Sequence, residues 1–564
     1  MKKKLFPVFI VIFFYCSVSF PQVSVSVDSL SWGQVLTNTS NSMNLKIKNM
    51  SGLPDTFAIS NINNVFTMSD TLVFLDPNDS TEITVTYHPV QNVVYNDILE
   101  MKGRENSNGL YLNLSGSALY GDSYDAGTFN KYDAQLKNAL TTLVFGHTSL
   151  GYNLARDKMF MEIDNKKVNG QGAPVNTLEC VYTGREAVGY TDRTNAQNNY
   201  NFNTEHTWPQ SNFNEDEPMR SDLFHLYPTD ANANNVRANY PFGNVVSNVT
   251  WDSAGSRLGR NSLNQIVFEP RDIHKGDVSR SMFYFLIRYP QNYGSFFTQV
   301  QENVFRGWNE LDSVGTIESA RNTAIASFQM KRNPFIDHPE FANRIYSFVT
   351  NTPRPLFTEL KVLPLEVNFD STLVGDSTSQ FIYIANKGNG ILNLDSIVLS
   401  DDHFSISYNF DEINPYSSVK VPVLFKPDSL TSYSGILKVY AGIQTFEINL
   451  TGTGKDNSVG INEPIYFSSE FELEQNYPNP FNPETKIRFS INSNRSNSQV
   501  FVTLKIFDVL GKEITTLVNE SKSPGVYEIN FPDENLKNSL PTGIYFYQLT
   551  TAENIKTKKM MLLK

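Results

Sequence analysis

The chain repeats one strand-rich pattern, first near its start and again in its second half. Both copies contain short runs of alternating apolar and polar residues separated by turn residues. The matched pieces are ITVTYHP with VPVLFKP and LNLSGSA with INLTGTG. Such runs are typical of β-sandwiches. The repeat therefore predicts two all-β sandwiches, at residues 23–119 and 357–455, on either side of a different middle region.

The middle region, residues 120–352, has another pattern. At 564 residues the chain is too long for one hydrophobic core, so several domains are expected. Helical spacing appears in the middle region in LKNALTTLVF and SMFYFLIRY, and five of the seven histidines fall between His147 and His338. We therefore predict a mixed α+β domain there, followed by a polar linker at 456–470 and a last strand-rich domain at 471–564.

The N-terminus has the three parts of an export signal, which predicts a signal peptide at residues 1–22. Lys2 to Lys4 precede an apolar run from Leu5 to about Tyr15. This run is short for a membrane span, which needs about 20 residues, and we expect no transmembrane segment in the mature chain. If Cys16 leaves with the signal, Cys180 is the only cysteine and no intramolecular disulfide can form. A lipid anchor on Cys16 is the alternative.

Net charge limits how the chain could bind nucleic acid. The formal charge is −12, which argues against binding through one large basic surface. A local basic groove remains compatible with it. Seven arginines and one lysine lie between Arg220 and Arg288, and phosphate contacts could come from this stretch.

The segment from Asn203 to Val245 combines the residue types that phosphodiester hydrolysis needs. The reaction requires a base for water, a hard cation on the phosphate and a positive group for the developing charge. Mg²⁺ prefers oxygen ligands and keeps several waters, so one carboxylate and one amide can suffice as protein ligands. Glu205 and Asn234 would supply these oxygens, and His206 follows Glu205 directly.

Each candidate also has a purely structural interpretation. A Glu-His pair occurs by chance in many proteins. The asparagines 232, 234 and 235 could form a loop. His225 could be a core histidine, because the apolar residues Leu223, Phe224 and Leu226 surround it.

Several ordered blocks from about residue 125 to 350 together resemble endonuclease I, a family of secreted and periplasmic nucleases of the ββα-metal (His-Me finger) class. The blocks are MFMEIDN at 159–165, CVYTGRE at 180–186, EHTWPQS at 205–211, SDLFHLYPTDANANNVRANYPFG at 221–243, FEP at 268–270 and KGDVSRSMFYFLIRY at 275–289. The resemblance implies a metal-dependent endonuclease of low sequence specificity. Its substrate would be DNA, with RNA as the alternative, and its products would carry 5′-phosphate ends.

The resemblance also implies roles for individual residues. His206 matches the general base, and Glu205 and Asn234 match the ligands of one Mg²⁺, with Mn²⁺ or Ca²⁺ as alternatives. Arg220 is the candidate for the scissile phosphate, although the family's arginine lies in a variable stretch that is shorter here. The further candidates are His225, Arg237 and Asn239. The role of His225 is in doubt, because this chain has one residue more than the family's Asp-Leu-His pattern.

The flanking segments resemble other modules. The two sandwiches are similar to immunoglobulin-like modules of the abnormal-spindle and hydin type, which implies spacer or adhesive roles. The segment 471–564 resembles type IX secretion sorting domains in NYPNPFNP, GIYFY and the basic run at 556–559. This implies transfer by the secretion machinery to the cell surface or the medium.

The predicted fold class is thus a multidomain chain: an α+β ββα-metal nuclease domain flanked by all-β immunoglobulin-like sandwiches, with a C-terminal β-sandwich sorting domain. Two other functions compete with this prediction. A zinc metalloprotease would need HExxH, which the sequence lacks. A surface adhesin with an inactive nuclease-like domain would not need Glu205, His206 and Asn234 together.

Overall fold

The computed structural model describes residues 23–50, 52–103, 109–291, 296–456, 471–491, 499–523, 525–532, 540–552 and 554–563. The predicted signal peptide and nearly all of the predicted linker lie outside these residues. By its internal contacts the chain divides into two compact units, Met1–Asp456 and Asn457–Lys564. In the part of the chain that is described, no helix is long and apolar enough to cross a membrane.

The first module is a two-layered β structure. Its strands β1 to β9 are Val23–Val25, Ser29–Leu36, Asn41–Asn49, Asp55–Ser60, Phe66–Met68, Leu72–Leu75, Ser80–Tyr87, Val94–Gly103 and Gly109–Leu119. They form one sheet of order β1-β3-β7-β5 and another of order β2-β9-β8-β4-β6. Strand β7 shows the alternation that the sequence predicts, because Ile83, Val85 and Tyr87 are buried between more exposed neighbours. Side chains of both sheets share one core.

The middle region contains the helices of the described chain. Helices α1 to α9 are Asp133–Val144, Tyr152–Lys158, Arg193–Tyr200, Ala231–Arg237, Lys275–Arg288, Gln299–Leu311, Thr316–Gln329, Pro334–Asp337 and Phe341–Arg344. Strands β10 to β16 are Thr177–Glu179, Glu186–Val188, Phe202–His206, Leu226–Asp230, Ser247–Ser253, Ser256–Arg260 and Ile266–Glu269. They pair as β10-β11, β12-β13 and β14-β15-β16.

Helix α5 is the centre of this region. All of its residues are buried except Asp277 and Arg288, as expected of a helix surrounded by other elements. The hydroxyls of Tyr284 and Tyr289 donate hydrogen bonds to Oδ2 of Asp222, at 3.0 and 2.8 Å. Asp222 lies in the long connection between β12 and β13, so these bonds fix that connection against the core.

The second module repeats the first. Its strands β17 to β26 are Leu360–Leu363, Glu366–Leu373, Thr378–Asn386, Leu392–Asn393, Ser396–Leu399, Phe404–Ile406, Glu412–Ile413, Ser417–Phe425, Ser432–Ala441 and Gln444–Lys455. The larger sheets have the orders β17-β19-β24-β22 and β18-β26-β25-β21, and β20 pairs with β23. In each module the last strand pairs in parallel with the second strand, β2 with β9 and β18 with β26.

The repeated sequence pieces have a packing reason. A Cβ atom added to Gly116 would lie 2.6 Å from the Tyr87 ring, and one added to Gly452 would lie 2.5 Å from the Phe425 ring. Both distances are too short for a side chain. The glycine in LNLSGSA and INLTGTG therefore leaves room for the aromatic ring in ITVTYHP and VPVLFKP.

The two modules and the middle region contact one another within the first unit. Ile98 and Tyr111 of the first module form a small core with Leu363 and Ala385 of the second. The buried Arg344 donates a hydrogen bond to Oδ1 of Asn92 in the first module, at 2.6 Å. The domain boundaries given above remain a prediction.

The C-terminal unit is again a β structure. Its strands β27 to β33 are Glu472–Leu473, Thr485–Ile491, Val500–Phe507, Glu513–Lys522, Gly525–Phe531, Gly543–Thr550 and Ile555–Leu562. They form sheets of order β27-β28-β31 and β30-β29-β32-β33. Asn476, the first residue of NYPNPFNP, is buried, and its side chain donates to the Thr485 hydroxyl at 3.0 Å.

The His338 ring should make the stability of the middle region depend on pH. Nε2 lies 2.9 Å from Asp125 and Nδ1 lies 3.4 Å from Glu340. Burial opposes its charge, but these two carboxylates outweigh burial and raise the pKa of His338 from 6.5 to about 9. The stabilisation is therefore complete below the unfolded pKa and is lost as the pH rises through the folded pKa. A shift of this size is worth about 3 kcal/mol.

We expect the free energy of unfolding to fall between about pH 6 and 9.5 in the wild type, and much less in His338→Gln. Urea unfolding followed by tryptophan fluorescence measures both. An equal fall in the two proteins would show that His338 is not the titrating group.

Candidate active site

A two-stranded ribbon and the helix that follows it carry Glu205, His206 and Asn234. Strand β12 pairs antiparallel with β13, with Glu205 opposite Tyr227 and His206 opposite Leu226. Helix α4 begins directly after β13, and the Asp230 side chain caps it by accepting from the amides of residues 232 and 233. Helix α4 packs against β12, and Arg237 at its end pairs with Glu205.

Glu205 is buried and held at one oxygen. Its side chain is 2% exposed, and Oε1 accepts a hydrogen bond from the Tyr182 hydroxyl at 2.8 Å. Nε of Arg237 lies 3.1 Å from the same oxygen as an ion pair. Burial raises the pKa of Glu205, while Arg237 and Tyr182 counteract the rise. Within the described chain Oε2 forms no hydrogen bond, so that oxygen could accept a ligand.

Arg237 fixes Glu205 and does not face solvent. Its side chain is 1% exposed, and its Nη atoms donate to the carbonyls of Ala238 and Thr207 at 2.8 and 2.7 Å. The guanidinium is held at both Nη atoms while Nε pairs with the carboxylate. The further candidate Arg237 is therefore a buried partner of Glu205.

The hydrogen bonding of His206 defines which ring nitrogen can act as a base. Nε2 lies 3.3 Å from the carbonyl oxygen of Arg220. A carbonyl only accepts, so Nε2 carries the proton of the neutral ring and Nδ1 keeps its lone pair. Burial, and then the neighbouring His225, hold the pKa of His206 well below its usual value. The ring is thus neutral at neutral pH, as a general base must be.

Arg220 lies next to His206 with part of its guanidinium exposed. Its side chain is 33% exposed, and Nη2 pairs with Glu215 at 2.8 Å. Its Cζ lies 4.3 Å from the centroid of the Tyr152 ring, which in turn lies 5.6 Å from the His206 ring. The sequence candidate for the scissile phosphate is therefore a cation at the edge of the site.

The other two candidates lie in different surroundings. His225 is fully buried, its Nε2 bonds to the Met219 carbonyl at 2.7 Å, and its ring packs 5.1 Å from that of Phe285. It is a core histidine behind His206. Asn239 is exposed and donates to the Ser211 hydroxyl at 3.1 Å.

Comparison with known proteins shows which families the middle region and the C-terminal segment match. Residues 132–340 match the family described as Endonuclease I, and residues 475–563 match the secretion system C-terminal sorting domain. An extracellular ribonuclease of Bacillus amyloliquefaciens is 30% identical over 254 residues, covering 41% of this chain and 82% of that protein. An extracellular ribonuclease of Bacillus subtilis is 29% identical, covering 40% and 78%. An extracellular deoxyribonuclease of Aeromonas hydrophila is 26% identical over 124 residues, covering 21% and 50%.

The chain belongs to the endonuclease I family. It is a nuclease, and its sorting domain together with its extracellular relatives makes it a secreted or cell-surface protein. Both predictions from the sequence are confirmed.

Endonuclease I enzymes generally depend on a divalent metal ion, and the residues present fit such an ion. Oε2 of Glu205 and the half-buried Asn234 side chain form no hydrogen bond with any described residue. A carboxylate and an amide oxygen are ligands that hard cations accept, with water completing the shell. No group of three or more His, Cys, Asp or Glu side chains in the described ranges could hold a metal.

Sequence reasoning missed two aromatic residues of the site. Tyr182 lies in the block CVYTGRE, and its place within a block that resembles the family was the available signal in the sequence. Tyr152 lies outside the matched blocks. Its contact with His206 joins positions 54 apart, so no local sequence pattern indicates this contact.

Removal of Arg237 should leave an unpaired buried carboxylate. We expect Arg237→Met to destabilise the middle region by about 3–5 kcal/mol, the usual cost of breaking a buried pair. Adding Glu205→Gln to it should recover part of this loss, because the buried charge is then gone. Urea unfolding of both single variants and the double variant gives the coupling energy. Strict additivity would contradict the pairing.

Proposed function

We propose that the chain is a metal-dependent endonuclease that hydrolyses phosphodiester bonds in DNA and RNA, with His206 as the general base. The observation that carries the proposal is the bond between Nε2 of His206 and the Arg220 carbonyl. It leaves the lone pair of Nδ1 available to accept a proton. A base and an oxygen ligand on adjacent residues suit activation of water beside a phosphate.

The ribbon β12-β13 followed by α4 supports assignment to the ββα-metal class. In this arrangement Glu205 and Asn234 would hold one divalent cation, with Mg²⁺ as the first candidate and Mn²⁺ or Ca²⁺ as alternatives. When bound, the cation would supply positive charge to the phosphate oxygens and the leaving oxygen.

Residues of the chain would carry out the proton transfer and stabilise the charge that develops on the phosphate. His206 Nδ1 removes a proton from water as the water oxygen bonds to phosphorus. Arg220 faces the negative charge that develops on the phosphate, and its pairing with the exposed Glu215 is weak enough to exchange for a phosphate. The bond from phosphorus to the 3′ oxygen breaks, that oxygen takes a proton from solvent, and the products are a 3′-hydroxyl and a 5′-phosphate.

The substrate proposal includes both nucleic acids. The relatives with the larger coverage are named ribonucleases, and the one with the smaller coverage is named a deoxyribonuclease. Contacts to phosphate carry little information about the base, so low sequence specificity is expected. We further propose that the flanking sandwiches are immunoglobulin-like spacers and that the C-terminal unit is the part that the secretion machinery recognises.

Loss of the base should lower turnover while the fold persists. We expect His206→Ala to reduce the nicking rate of a plasmid by about 10² to 10⁴, the usual contribution of a general base. His88→Ala, in the first module, is the matched control and should leave the rate unchanged. Equal rates for His206→Ala and the wild type would exclude His206 as the base.

Asn234 and its neighbour Asn235 allow a test of the metal ligand. Asn234→Ala should raise the Mg²⁺ concentration that gives half-maximal rate by about tenfold or more, since one of two protein ligands is lost. High Mg²⁺ should then restore most of the rate. The exposed Asn235→Ala should behave as the wild type. If Asn235→Ala shifts the Mg²⁺ requirement and Asn234→Ala does not, the ligand is assigned to the wrong position on α4.

A further inference from the structure

Two guanidinium groups lie against one aromatic ring at the edge of the site. The Cζ atom of Arg156 is 4.0 Å from the centroid of the Tyr152 ring, and that of Arg220 is 4.3 Å from the same centroid. Tyr152 and Arg156 both belong to α2, one turn apart, and therefore share a face of the helix. Since the Tyr152 ring also lies 5.6 Å from that of His206, the base and both cations surround one tyrosine.

Arg156 differs from its cationic neighbours in having no carboxylate partner. Arg220 pairs with Glu215 at 2.8 Å and Arg193 pairs with Asp157 at 2.6 Å. Arg156 donates to the neutral Asn153 side chain at 2.8 Å and forms no ion pair with a described residue. Its Nε is buried and has no hydrogen-bond partner in the described structure.

The position is electrostatically unfavourable without an anion. Burial lowers the pKa of Arg156, and the charges of Arg193 and Arg220 lower it further, against the opposing effects of Tyr152 and Asp157. A guanidinium remains charged in spite of this, so Arg156 adds a positive charge without an ion pair beside two guanidiniums that Glu215 and Asp157 pair. Such an arrangement favours a bound anion, and a guanidinium fork suits the oxygens of a phosphate.

We propose that Arg156 binds a backbone phosphate of the nucleic acid next to the scissile phosphate, and that the Tyr152 ring holds it beside Arg220. This inference rests on the proposed nuclease function and adds a binding residue to it. Arg220 and Arg156 would then contact successive phosphates of one strand, which places the cut bond in register with His206. Because Arg156 contacts a phosphate that does not react, its effect should fall mainly on KM.

The test compares Arg156→Gln with the wild type on short single-stranded oligonucleotides. Glutamine keeps much of the side-chain length and can still donate to Asn153, so the fold should persist. We expect KM to rise about tenfold with little change in kcat. The slope of log KM against log salt concentration should fall by about 0.7, the value for one phosphate contact to a single strand. Arg156→Lys should retain most of that slope.

Lys158→Ala is the matched control. It removes one positive charge from the same helix, but Lys158 pairs with Glu162 and lies over the Phe328 ring, away from Tyr152. We expect neither KM nor the salt slope to change.

A second arm identifies the phosphate. Trinucleotides are prepared with one cleavable linkage and with a neutral methylphosphonate as the other linkage, on the 5′ or the 3′ side. On one side the methylphosphonate should raise the KM of the wild type as much as Arg156→Gln does, and combining the two changes should raise KM no further.

Additive increases in KM on both sides would overturn the proposal, as would a salt slope of Arg156→Gln equal to that of Lys158→Ala. If the wild type cuts no oligonucleotide, the proposed function itself fails; cutting without an Arg156 effect defeats this inference alone.

Discussion

The buried pair of Glu205 and Arg237 is the interaction around which the site is arranged. A charge removed from water costs several kcal/mol unless it is paired and hydrogen-bonded. Tyr182 satisfies one side of this pair and the Thr207 carbonyl satisfies the other. Strand β12, helix α4 and the segment around Tyr182 must therefore assemble together. The same contacts that stabilise the middle region leave Oε2 of Glu205 without a hydrogen bond to the described residues.

The parts of the site that could be predicted are those whose residues lie close together in the sequence. Glu205 and His206 are adjacent, and Asn234 and Arg237 share one helix, so a motif of fixed spacing carries them. The fold class was predictable in its coarse form, because strand-rich and helix-containing segments have different periodicities. His225 was ambiguous since apolar neighbours suit a core position as well as a site, and only its burial decides. Arg156 could not be found, because its significance depends on a ring contact with Tyr152 and on its forming no ion pair with a described residue.

The repeat could be predicted from the sequence, whereas the contacts between the modules could not. The close approach of Gly116 to Tyr87, and of Gly452 to Phe425, leaves a trace in the sequence because each copy must keep a glycine opposite an aromatic residue. The bond between Asn92 and Arg344 joins positions 252 apart. A single polar pair of this kind has no periodicity, so the sequence could not show that the first module and the middle region belong to one compact unit.

The net negative charge of the chain and the cations near His206 act on nucleic acid over different distances. A net charge of −12 repels a polyanion at long range, and at physiological salt this repulsion is screened beyond about 8 Å. Within that distance the cations around Tyr152 determine the field, and the low dielectric of their partly buried surroundings strengthens it. Nucleic acid should thus be attracted where a phosphate reaches the neighbourhood of His206. A net negative charge elsewhere reduces unproductive binding, which suits an enzyme that must release its charged products.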